Sequence, residues 1–238
     1  MNENSASAHK RGTLVNPPNR FERLRLERDA DWDPTEDPAP KTEFFCDLSQ
    51  TIISRNDSPD IPYAASLNPY RGCEHGCIYC YARPTHEYLG FSAGLDFETR
   101  IVVKPRAPEL LRQQLASPRW TPEPLTLSGV TDPYQPCERR LQLTRRCLEV
   151  LAQCRHPVCL VTKNQLITRD LDLLQELARH QAVSVCISIT TLDLELRRVL
   201  EPRTTPPAAR LDTIAKLATA NIPVGVLVAP VIPGLTDH

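Results

Sequence analysis

The 238-residue sequence has almost no net charge, little lysine and no long apolar run, and each shortage narrows what the protein does. Its 28 Lys and Arg nearly balance 29 Asp and Glu, so no whole-molecule field draws it to nucleic acid or to an anionic membrane. Any such partner must be held locally. Only five of the 28 basic residues are lysine, a bias that genomic base composition explains more simply than phosphate recognition. The longest apolar run, Ile222 to Pro233, is broken by three prolines and is too short to span a bilayer. The N-terminus has no apolar stretch behind its charges and so lacks a secretory signal. Nine cysteines without such a signal fit a reducing, cytoplasmic setting, where clustered thiols bind metal more often than they form disulfides. No internal repeat, phosphate-binding glycine loop, serine triad or paired-carboxylate signature stands out.

Residues 1–62 are polar and charged, carry Pro17, Pro18, Pro34, Pro38 and Pro40, and show no sustained helical or strand periodicity. They read as a mostly irregular extension, partly docked through the segment 42–54, where Phe44, Phe45, Ile52 and Ile53 supply apolar surface. From residue 63 onward, short apolar runs alternate with helical patterns, the signature of βα units around a parallel sheet. Strands are expected at Leu67 to Arg71, Leu125 to Gly129, Val158 to Thr162, Val183 to Ile189 and Val224 to Ala229. Between them, Leu141, Thr144, Leu148 and Leu151 mark one helix face, Leu171, Leu174 and Leu177 a second, and Leu211, Ile214 and Leu217 a third. Only Ile232 to His238 follows the fifth strand. The expected fold is therefore α/β, a partial (β/α) barrel ending after about five strands. Residues 63–238 read as a core domain incomplete at its C-terminus, because an uncovered last strand leaves backbone and apolar surface in water.

Directly after the first expected strand, Asn68 to Arg83 reads NPYRGCEHGCIYCYAR, with Cys73, Cys77 and Cys80 at C-x3-C-x2-C spacing. Three thiolates can hold three corners of a cubane cluster that normally takes four, leaving one iron open to an external ligand. Gly72 and Gly76 permit a backbone that curls around such a cluster, and Tyr79 can pack on a bound aromatic base. A zinc site with His75, His86 or a distant cysteine as fourth ligand is the alternative. The other six cysteines, Cys46, Cys137, Cys147, Cys154, Cys159 and Cys186, have no tight spacing and read as small apolar residues.

At this loop the sequence resembles the radical S-adenosylmethionine superfamily, whose motif has this cysteine spacing and an aromatic before the last cysteine. The resemblance runs to about Thr236 and is nearest the spore photoproduct lyase-like branch. It implies a [4Fe-4S] cluster on Cys73, Cys77 and Cys80 whose open iron chelates S-adenosylmethionine. It further implies reductive cleavage to a 5′-deoxyadenosyl radical that abstracts hydrogen from a substrate, with an electron from a donor such as flavodoxin or ferredoxin. Tyr79 and Tyr81, flanking the last cysteine, take catalytic roles by the same resemblance, Tyr79 also touching the cofactor. Ser128 and Gly129 fall where the family's turn meets the methionine amino group, and Lys163 and Ser188 at strand ends face the cofactor. Arg203, with Glu201 and Arg210, shapes the mouth, and the segment from Val228 to Pro233 lies near adenine. The branch's hydrogen-donating cysteine does not carry over, because this chain reads Ser128-Gly129-Val130 there and Cys137 lies beyond two prolines. That departure favours a lyase-like enzyme on another substrate, with nucleic acid left open but not indicated by charge. A non-catalytic zinc or iron-sulfur module and an inactive remnant are the rival readings.

Overall fold

A computed structural model describes residues 11–21, 40–58 and 63–237. Among the described residues, nine strands fall into two sheets. The larger has the order β2-β3-β6-β7-β8-β9, made of β2 (Ile53–Arg55), β3 (Ala65–Leu67), β6 (Leu125–Leu127), β7 (Val158–Thr162), β8 (Val183–Ser188) and β9 (Val224–Leu227). From β3 to β9 every neighbouring pair is parallel, and β2 closes one edge antiparallel to β3. The smaller sheet has the order β1-β5-β4, from β1 (Glu43–Cys46), β4 (Tyr70–Arg71) and β5 (Arg100–Val103). Helices α1 (Asp96–Thr99), α2 (Ala107–Leu115), α3 (Glu138–Leu141), α4 (Leu143–Cys154), α5 (Leu171–Arg179), α6 (Leu194–Leu200) and α7 (Pro207–Thr219) fill the connections. None of the described helices is long and apolar enough to cross a membrane.

The parallel strands bury one face under helices and open the other. Val158 and Leu160 of β7 and Val183, Val185 and Ile187 of β8 are buried with Leu148 and Leu151 of α4, Leu174 and Leu177 of α5 and Leu217 of α7. The alternate positions Cys159 and Ser184 are exposed, because successive side chains on a strand point to opposite faces. A half-closed barrel results, with an apolar outer layer and a concave inner face of small residues. On β9, Val226 and Leu227 are half exposed.

The expected strand from Leu67 to Arg71 is two strands. β3 stops at Leu67 and β4 crosses to the other sheet. Pro69 has no backbone donor for the ladder, and the Asn68 side chain instead accepts hydrogen bonds from Ser128 Oγ and the Val130 amide, both at 3.1 Å. The second, fourth and fifth expected strands each end one or two residues early, where the chain turns into the loops at the barrel mouth. Leu211, expected on the inner face of α7, is 48% exposed, whereas Arg210 is 1% exposed. The helix is turned by the ion pair of Arg210 with Glu201, which outweighs the burial of one leucine. In the segment 42–54, β1 pairs with β5 and Ile52 is fully buried.

Candidate radical and cofactor site

The loop after β4 is held in a backbone shape that only glycine adopts without strain at two points. Gly72 and Gly76 have φ of 80° and 68°, and a Cβ on Gly76 would lie 2.5 Å from Glu98 Oε2. Gln135 bridges the loop, its Oε1 accepting from the Glu74 amide at 3.0 Å and its Nε2 donating to the Gly72 carbonyl at 3.1 Å. On the other side, Arg83 donates twice to the Cys77 carbonyl, at 3.1 and 2.9 Å, and once to Glu98 at 2.6 Å. Between these holds, Cys73, Cys77 and Cys80 face one cavity of 440 Å³ beneath the mouth of the half-barrel, a size within the range of small-molecule sites. Burial pushes all three thiols up, Cys77 to about 12. Metal ligation must therefore release their protons.

The cavity brings together Tyr79, Tyr81, Ser128, Gly129, Lys163 and Ser188 with the cysteines. Lys163 Nζ donates to Ser188 Oγ at 2.6 Å and lies 3.1 Å from Glu201 Oε1. Glu201 also pairs with the buried Arg210 and accepts from the Tyr79 hydroxyl. Burial disfavours the Glu201 carboxylate, but Lys163 and Arg210 overcome this and bring its pKa to about 2. Of these, only Lys163 lines the cavity, where the ionised carboxylate of Asp132 also lies. The Gly129 carbonyl accepts from both Tyr63, at 3.1 Å, and Tyr81. A Cβ on Gly129 would sit 2.5 Å from Tyr63 Oη, so any side chain there would displace the Tyr63 ring.

Arg203 stands apart from the cavity lining. Its guanidinium reaches Glu74 at 3.3 Å and its amide donates to the His75 carbonyl, so it braces the back of the cysteine loop. Cys137 packs with Tyr70, Ile101 and Leu143, away from the lining. His75 has both ring nitrogens engaged, one 3.3 Å from Asp132 and the other 3.2 Å from Asn164 Nδ2.

Sequence reasoning passed over Asp132, Tyr63 and Thr190. Asp132 ties its own turn to the end of β7 and to the cysteine loop, accepting from the Tyr134 amide at 2.8 Å, from Thr162 Oγ1 at 2.7 Å and from the Lys163 amide at 2.8 Å, with His75 at 3.3 Å. Its one sequence signal is an acid in an otherwise uncharged strand-to-helix turn. Tyr63 and Thr190 carry no local signal, because their partners lie 66 and 11 residues away.

His86, just past the loop, is fully buried, packs edge-on against Phe97 and bonds the Arg100 carbonyl at 2.9 Å. Burial lowers its pKa from 6.5 to about 4. Its neutral form is thus favoured by folding, and that contribution is complete above pH 6.5 and lost as pH falls toward 4. Equilibrium urea unfolding is expected to show about 3 kcal/mol lost to this group across that window. A His86→Gln variant should show a flatter pH profile, and an equally steep one would assign the loss elsewhere.

A family model described as the radical SAM superfamily matches residues 67–238. An uncharacterized protein of Mycobacterium tuberculosis is 44% identical over 177 residues, 74% of this chain and 52% of that protein. One of Methanocaldococcus jannaschii is 28% identical over 197 residues, 83% of this chain and 71% of the relative. Spore photoproduct lyase complexed with dinucleoside spore photoproduct matches with a TM-score of 0.56 at 16% identity, over 80% of this chain and 52% of the lyase chain. A mutant of that lyase with bound AdoMet and dinucleoside spore photoproduct gives a TM-score of 0.52 at 18% identity, over 79% and 50%. These structural likenesses speak for the fold. The chain spans about half the length of the mycobacterial relative and of the lyase. Because the family match starts at the last residue of β3 and takes in the cysteine loop and every later strand, the chain belongs to the radical SAM superfamily.

Proposed function

We propose that this protein binds a [4Fe-4S] cluster through Cys73, Cys77 and Cys80, cleaves S-adenosylmethionine reductively and directs the product radical at a hydrogen of a separate substrate. The observation that carries this is the convergence of the three cysteine thiols, the Lys163 ammonium and a set of hydroxyls on a single cavity. Among the described residues no three Cys, His, Asp or Glu side chains close on one metal ion. A zinc ion needs its donors within about 2.3 Å of one centre, whereas a cubane spreads its thiolates over separate irons. The residues thus fit the cluster better than the ion. When bound, the cluster would supply the electron that breaks the sulfonium bond and yields the 5′-deoxyadenosyl radical.

The chain's own residues do the rest. Lys163, backed by Ser188 and Thr190, offers a cation to the methionine carboxylate. Ser128 and the Gly129 backbone face the amino group, and Tyr79, fixed by Glu201 and Thr190, supplies a flat wall beside the cysteines. Tyr81, exposed but tethered at its hydroxyl, stands between cavity and solvent, where a substrate enters. A one-electron donor such as flavodoxin or ferredoxin serves in a reducing, cytoplasmic setting. With Cys137 in a separate core cluster, the protein acts on a substrate other than that of the photoproduct lyase.

Anaerobic reconstitution with iron and sulfide, followed by dithionite and S-adenosylmethionine, is expected to give methionine and 5′-deoxyadenosine in equal amounts. Stoichiometric zinc with no iron uptake would overturn the reading in favour of a zinc module. A loaded cluster with no cleavage would mark the chain as non-catalytic.

A further inference from the structure

Residues 11–20 lie across the outer side of the cysteine loop, in contacts that neither the barrel nor the cofactor cavity requires. The Gly12 and Thr13 amides donate to the two carboxylate oxygens of Glu98, at 2.9 and 3.1 Å. Glu98 is fully buried, and its other partner is Arg83, the residue that grips the Cys77 carbonyl. Arg11 donates to the Glu98 carbonyl at 2.9 Å and to Thr42 Oγ1 at 3.0 Å, and Thr42 in turn donates to Glu74 between the first two cysteines, at 2.8 Å. Gly12 lies so close to the loop that a Cβ there would meet the Gly76 carbonyl oxygen at 1.8 Å. Backbone cannot yield to that contact.

The segment is fastened at a second place. Asn16 and Asp96 exchange hydrogen bonds at 2.7 and 2.8 Å, the Leu95 amide donates to the Val15 carbonyl at 3.1 Å, and Ser92 Oγ donates to Pro17 at 2.6 Å. A Cβ on Gly94 would lie 2.2 Å from the Val15 carbonyl oxygen. None of these arm residues belongs to the main core cluster.

We propose that residues 11–20 form a clasp that fixes the cysteine loop in its ligating shape, with Gly12 and Glu98 as positioning residues for the cluster. A charge-assisted chain runs from the arm amides through Glu98 and Arg83 to the Cys77 carbonyl. Such bonds are short and directional when buried, so the arm reaches the ligand loop without touching the cofactor. The clasp serves the cluster reading given above, but its hold on the loop is testable in the metal-free chain.

Two variants pry the arm away from different ends: Gly12→Val at the loop and Gly94→Val at Val15. In the metal-free full chain, hydrogen exchange of the peptide spanning Cys73 to Arg83 is expected to quicken by about tenfold or more in both, with the β7 and β8 peptides unchanged. After reconstitution, both variants should lose the cluster's visible absorbance in air several times faster than the parent. The electron paramagnetic resonance line of the reduced cluster should broaden as the loop samples more than one shape. Wild-type exchange in the cysteine peptide of both variants would overturn the clasp. If the parent chain takes up no iron, the cluster reading fails while the exchange comparison still decides the clasp. If exchange in β7 and β8 also rises, the arm supports the whole fold and the specific role is refuted.

Discussion

Cys77→Ala is expected to leave less than about 1% of parental cubane loading after reconstitution, and no measurable 5′-deoxyadenosine, because two thiolates cannot hold a three-corner site. The thiol is 8% exposed and lies outside the main core cluster, so unfolding of the metal-free protein should shift by less than about 1.5 kcal/mol. That separation makes the result interpretable. Iron and sulfide analysis with the visible spectrum reads loading, and urea unfolding reads the fold. Cys73→Ala and Cys80→Ala should match it. Cys46→Ala, at an exposed thiol on β1, should load like the parent. Substantial cluster in Cys77→Ala, or loss in Cys46→Ala, would remove the basis for placing the cluster on this loop.

Arg210→Met is expected to destabilise the fold by about 3–5 kcal/mol, since it strands the carboxylate of Glu201 in a buried site. Both side chains are 1% exposed. The guanidinium also donates to the Thr205 and Ser188 carbonyls, at 2.7 and 2.8 Å, and to Thr204. Lys163 remains as a partner for Glu201 at 3.1 Å, which keeps the cost from rising further. Adding Glu201→Gln should recover part of the loss, because the stranded charge is then gone. Acid should act on the same pair. The Glu201 pKa is depressed to about 2, so its stabilisation is complete above about pH 4.5 and drains away as pH falls toward 2. The Arg210→Met variant should show a weaker acid dependence but not lose it, because Lys163 still holds the carboxylate in its charged form. A double variant less stable than Arg210→Met alone would mean that the ion pair matters less than the backbone bonds Arg210 makes.

Four of the five parallel strands, β6 to β9, were legible from sequence because each is a short apolar run between turn residues, and periodicity reports burial locally, whereas β3 shares only Leu67 with the strand expected there. Their ends and the extra strands were not. β4 and β5 pair across the chain at Tyr70 with Val103, and β1 gains its place only through β5. Such short strands carry no pattern of their own. Leu211 shows the same limit, since an apolar side chain at a helical spacing was outranked by an arginine whose partner sits nine residues away.

At the site, the sequence alone determined the ligand loop. Three cysteines within eight residues are bound to lie near one another, whatever the rest of the chain does. Tertiary structure decided what surrounds them. Lys163 meets Ser188 across two strands, Glu201 collects Lys163 and Arg210 from separate elements, and Glu98 joins the arm at Gly12 to the loop at Arg83 over separations of 86 and 15 residues. Arg203, close to these in sequence, was carried to the back of the loop instead. Spacing along the chain fixes contacts over a few residues, but side chains far apart are brought together only by how strands and helices pack.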